Sequence, residues 1–230
     1  MFYLPFDSLY LFLVLPAFLF AMWAQFRVTS SFNAYSKQRT TSGLTGVEAA
    51  QEVLRQNGVS GVQIERVNGN LTDHFDPRTN SIHLSEKVYD IPSVAAVGIA
   101  AHEAGHAVQH AKNYAPMKLR AAILPVTNIG SKLAMPLILM GLIFSMSGLI
   151  NIGILLFGLV VLFQLITLPV EFNASHRAVE ALGNSALLSA DELPASKKIL
   201  SAAALTYIGA LAVSLAQLLR FIALSGRRRD

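Results

Sequence analysis

Three uncharged apolar runs dominate the chain, at residues 9–26, 133–170 and 199–219. The first and last are each about long enough to cross a bilayer as a helix. The middle one suits two spans joined by a tight turn near residues 145–151. Soluble core helices do not carry so much uncharged length, so the pattern predicts a mainly α integral membrane protein with about four transmembrane helices. Ahead of the first run, residues 1–8 hold no Lys or Arg and carry Asp7. A secretory leader begins positive, so the expectation is a retained anchor.

Between the first run and the second lies a polar segment with mixed periodicities. Thr45-Gly46-Val47-Glu48 is a capping-box pattern opening an amphipathic helix, with Asn57-Gly58 as its stop. Val62, Ile64 and Val67 suggest a short strand closed by Asn68-Gly69. Residues 71–75 and 81–85 flank Asp76-Pro77-Arg78-Thr79-Asn80, a turn with Asp first and Pro second. A further helix is expected from about Ser93 to Ala111, its first half apolar and therefore buried. The organisation expected is an anchor (1–26), an α+β domain (27–118), a transmembrane hairpin (119–170), a helix and loop (171–198), and a last span with a basic tail (199–230).

Composition agrees: 53% of residues are hydrophobic, too many for an ordinary soluble domain. With no cysteine, disulfides, thiolate metal ligands and a thiol nucleophile are excluded. The net charge of +4 reads as membrane topology, and no nucleic-acid partner is expected. Most Lys and Arg fall between Arg27 and Lys132, and Arg177, Lys197 and Lys198 follow the third span. The turn at 145–151 has none. The positive-inside rule then places residues 27–118 and the segment after the third span together in the cytoplasm. Arg227, Arg228 and Arg229 disagree, because a full last span would carry them outside.

The chemistry concentrates at His102-Glu103-Ala104-Gly105-His106. On a helix the i, i+4 spacing sets both imidazoles on one face, where two nitrogens can hold Zn²⁺ and leave room for a third ligand and a water. Glu103 is placed to take a proton from that water. His110 drifts off this face and is expected at the surface. Third-ligand candidates are Glu171, His176, His74 and His83. Glu171 stands out because it ends the apolar run 133–170, where a carboxylate is costly without a partner.

Taken together, these segments resemble the YugP-type membrane zinc metallopeptidases and, more distantly, the HtpX-type gluzincins with HExxH followed by ExxxD. The resemblance rests on Ser42-Gly43-Leu44-Thr45-Gly46, residues 71–79, the zinc helix, Leu168-Pro169-Val170-Glu171 and Phe172-Asn173-Ala174-Ser175. It implies a small gluzincin-like α+β domain carrying the HExxH helix. It also implies one Zn²⁺ per chain, with His102, His106 and Glu171 as ligands and Glu103 as general base. Ser175 stands where the wider clan has an Asp that orients a ligating histidine, a task a hydroxyl performs less strongly. Asn173, Ser175 or a carboxylate from the hairpin (Asp73 or Asp76) is expected to take it over. Residues 71–75 are a candidate substrate strand that would bring His74 towards the site. Arg177, His176 and Tyr207 are weaker candidates for stabilising an oxyanion.

The expected function is a multi-pass, zinc-dependent endopeptidase of the cell membrane, with its site facing the cytoplasm, a polypeptide substrate and the lipid bilayer as partner. Two other classes fit the same residues. One is a zinc-stabilised membrane scaffold without turnover, and the other is an intramembrane site-2-type protease.

Overall fold

In the computed structural model residues 7–184 and 187–226 are described. Arg227, Arg228 and Arg229, and most of the 1–8 leader, lie outside them. The described chain is mainly helical. A π-helical turn at Tyr10–Val14 leads into α1 (Leu15–Tyr35), followed by α2 (Gly46–Gln56) and strands β1 (Gln63–Val67), β2 (His74–Asp76) and β3 (Ser81–Ser85). Then come α3 (Val94–Ala111), α4 (Ala115–Ile143), α5 (Ser147–Asn184) and α6 (Leu193–Gly226). Four helices are long and apolar enough to cross a membrane: Tyr10–Tyr35 (the π turn with α1), α4, α5 and α6. The turn between α4 and α5 is shorter than the 145–151 expected, because Ser145 takes a left-handed backbone (φ 56°) and α5 starts two residues later.

The described residues form two compact units. One comprises the chain up to Ala24, Leu119–Leu168 and the chain from Leu205 on, and the other comprises Gln25–Lys118 and Pro169–Ala204. Within the first unit, helices approach closely at small residues. A Cβ at Gly209 would lie 2.9 Å from the Ala21 Cα, and one at Gly153 would lie 2.8 Å from the Ala134 carbonyl. Such positions let backbones pack where lipid removes the hydrophobic drive. Arg220 pairs with Asp7 at 3.0 Å.

The second unit is built on local signals that the chain carries openly. Thr45 caps α2 with the full reciprocal box, and Gly58 turns left-handed (φ 66°) after the Asn57 C-cap. Ser93 caps α3, its hydroxyl accepting from the Ala96 N–H at 3.2 Å. In the hairpin turn Asp76 Oδ1 accepts the Arg78 N–H at 2.9 Å. β2 begins only at His74, shorter than residues 71–75, because Gly69 and Leu71 both hold positive φ and break the extended run. The sheet order is β1-β3-β2. β1 runs parallel to β3 with Ile64 opposite Ile82, and β2 runs antiparallel with Phe75 opposite Ile82.

Central β3 is the most buried strand, and Ile82 and Leu84 are fully enclosed. Together with Val53, Val97, Val108 and Leu182 they form one core, each large side chain contributing about 1.5–3 kcal/mol by leaving water. Helix α3 is buried nearly all round, and its Ala and Gly content allows it. Gly98 faces Ser196 of α6, where a Cβ would lie 2.5 Å from the hydroxyl. α3 also packs on α2, β2 and β3.

Candidate metal centre

Two helices supply the site, through residues that all belong to the second unit. The first is α3, which presents His102 and His106 one turn apart, their rings edge to face with centroids 4.7 Å apart. The second is α5, which runs unbroken through Pro169 and carries Glu171. The two helices meet at Gly105, where a Cβ would come within 2.7 Å of the Ala174 carbonyl. The glycine inside the HExxH run is thus a contact requirement: any side chain there would push the Glu171 helix away.

Glu171 Oε2 lies 3.4 Å from His102 Nε2 and 3.5 Å from His106 Nε2. The three residues form a group able to hold a metal ion, with all ligand atoms within 4.8 Å of one another. A tetrahedral ion with ligands at 2.0–2.2 Å holds its donor atoms about 3.3–3.6 Å apart. The observed separations match those edges and are long for hydrogen bonds. The donor set, two imidazoles and one carboxylate, is that of a zinc site with an open position. Glu171 is nearly enclosed, at 3% exposure, so its charge needs a cationic partner.

His106 shows the same demand. Its burial opposes charging, yet the close Glu171 carboxylate and the negative charge of Glu103 outweigh that and raise its pKa. Glu103 is itself buried, and among the described residues no side chain or backbone group donates a hydrogen bond to it.

The remaining ring nitrogens are also engaged. His102 Nδ1 lies 3.2 Å from the Ser175 hydroxyl. His106 Nδ1 instead meets Gln109 Oε1 at 3.0 Å, and Asn173 is reached only through Gln109, at 3.0 Å. Sequence reasoning missed Gln109. Its signal was a lone amide at i+3 from His106.

The hairpin candidates sit differently. Asp73 is held by the N–H and hydroxyl of Ser85, at 2.7 and 3.0 Å. Burial raises its pKa against those hydrogen bonds, and the charge of Glu103 pushes the same way. Asp76 is taken up by Arg78. His74 is exposed, donates from Nδ1 to the Thr72 carbonyl at 2.8 Å and stacks on His83. Neither histidine belongs to the metal-suited group. β2 is nonetheless an edge strand packed on α3, with Phe75 against His110. His110 is exposed, as its drift predicts. His176 is exposed beside Glu180, and Arg177 donates to Asn173 at 2.8 Å.

Four membrane-length helices and a largely buried group of two histidines on α3 and Glu171 on α5 define the class: a multi-pass membrane protein with a metal-hydrolase donor set. The chain belongs to the family described as "putative neutral zinc metallopeptidase", whose pattern covers residues 10–226. It is 46% identical over 222 residues to the "putative membrane protease YugP" of Bacillus subtilis (strain 168), spanning 96% of this chain and 99% of that protein. No solved structure matches it.

Proposed function

We propose that the protein is a membrane-embedded endopeptidase of gluzincin type, holding one Zn²⁺ per chain on His102, His106 and Glu171. The convergence of three donor atoms from α3 and α5 at tetrahedral edge distances carries this reading. These three residues would hold the zinc, which would supply Lewis-acid activation of a water and polarisation of the scissile carbonyl. Glu103, buried and next to the first ligand, accepts the water proton on its carboxylate and passes it to the leaving amine. His102 and His106 keep Nε2 towards the site because their Nδ1 atoms are engaged by Ser175 and Gln109. The edge strand β2 offers unpaired backbone groups to an extended polypeptide substrate.

Length supports a site at the membrane boundary. At 38 residues α5 is about 57 Å long, against a hydrocarbon core of about 30 Å. About 24 residues precede Glu171 in it, enough for the crossing itself. The α+β setting of α3 favours this over a zinc helix inside the bilayer.

Zinc per chain should be measured in wild type and Glu171→Ala at matched detergent content. The expected result is about one zinc in the wild type and clearly less in the variant, where a methyl replaces one of three ligands. Equal zinc in both would move the third ligand elsewhere, and no zinc in either would sink the peptidase reading.

A further inference from the structure

Behind His106 stands a chain of side chains whose ends dictate how every member is turned. Arg177 Nε donates to Asn173 Oδ1 at 2.8 Å. Asn173 Oδ1 accepts again from Gln109 Nε2 at 3.0 Å, and that same NH₂ donates to the Val170 carbonyl at 2.8 Å. Gln109 Oε1 then faces His106 Nδ1 at 3.0 Å. Gln109 is fully buried, so no water competes for its amide.

The orientations follow from chemistry alone. A guanidinium N–H only donates, so the Asn173 atom before it must be oxygen. A backbone carbonyl only accepts, so the Gln109 atom facing Val170 must be its NH₂. The oxygen of Gln109 is thereby left for His106, and an amide oxygen only accepts. Nδ1 must therefore carry the proton, and a neutral imidazole protonated there keeps its lone pair at Nε2. That is the atom nearest Glu171. The Ser175 hydroxyl at His102 imposes no such choice, because it both donates and accepts.

We propose that Gln109 is the positioning residue of the metal centre: it locks His106 in the Nδ1–H tautomer and ties it to the turn of α5 that bears Glu171. The relay Arg177–Asn173–Gln109–His106 does for the second histidine what a carboxylate does in other zinc sites. It replaces charge with an amide that cannot flip, since flipping would set oxygen against the Val170 carbonyl and NH₂ against the Nδ1–H. The proposal rests on the metal reading above and concerns residues that this reading leaves unassigned.

Zinc affinity of the full chain in detergent, measured by chelator competition, tests it in four proteins: wild type, Gln109→Leu, Asn173→Leu and Asn173→Asp. Thermal melting and the visible absorption of the cobalt(II)-loaded proteins are recorded alongside. Gln109→Leu should bind zinc about 10–100-fold more weakly and shift the cobalt spectrum. Asn173→Leu should lose less, because Val170 still holds the amide. Asn173→Asp should retain wild-type affinity, since its oxygen still accepts from both Gln109 and Arg177. If Gln109→Leu does not fold, the Asn173 pair decides. Wild-type affinity in folded Gln109→Leu, or equal losses in the two Asn173 variants, overturns the relay and leaves the zinc site standing. Absence of zinc from the wild type overturns the zinc site and the relay with it.

Discussion

Glu103 and Glu171 are both buried carboxylates within one small site, and their surroundings differ as the opposite tasks proposed for them require. Glu171 lies between two imidazole nitrogens, the environment of a ligand. Glu103 accepts no hydrogen bond from described residues, the condition of a base able to take a proton. Glu103→Gln should leave zinc content unchanged while kcat for peptide hydrolysis falls about 10²–10⁴-fold. An active Glu103→Gln protein would remove the proposed mechanism. Such activity in the wild type alone would also separate a peptidase from a zinc-stabilised scaffold.

Helix α2 shows how much an element owes to its first turn. Thr45 N and Oγ1 donate to Glu48 Oε2 at 2.8 and 2.7 Å, and Thr45 Oγ1 accepts the Glu48 N–H at 3.5 Å. Thr45→Ala should cost about 1 kcal/mol, read as an earlier thermal melt. The cap is also pH-dependent. Hydrogen bonds from the Thr45 backbone and hydroxyl hold the Glu48 carboxyl below its usual range. A depressed carboxylate contributes stability above its unfolded pKa and loses it as pH falls through the folded one. The melting gap between wild type and Thr45→Ala should therefore narrow on acidification. A gap independent of pH would assign the effect to the hydroxyl–N–H bond alone.

At the scale of the whole molecule the open question is which side of the membrane the HExxH helix faces. The Lys and Arg distribution argues for the cytoplasm. Lys112, the exposed C-cap of α3, is a suitable reporter, because a cysteine introduced there is the sole thiol of the chain. Lys112→Cys should react with a membrane-impermeant reagent in inside-out vesicles and resist it in right-side-out ones. The reverse pattern would overturn the cytoplasmic assignment, and protection in both would favour a buried site.

Much of this architecture was legible from local signals, because local physics decides it. Uncharged runs of spanning length have little choice but to be membrane helices. Thr45, Ser93 and the Asp76-Pro77 turn act through neighbours within four residues, and the i, i+4 histidines share a face on any helix. Glu171 could be singled out because a carboxylate closing an apolar run needs a partner. The parallel pairing of β1 with β3, the stacking of His74 on His83 and the hydrogen bonds of Gln109 to Val170 and Asn173 were not legible. Each joins groups through a register or helix crossing that no local pattern encodes. Tertiary structure alone decided them, and at the site the crossing at Gly105 brings Val170 and Asn173 against Gln109 and Ser175 against His102.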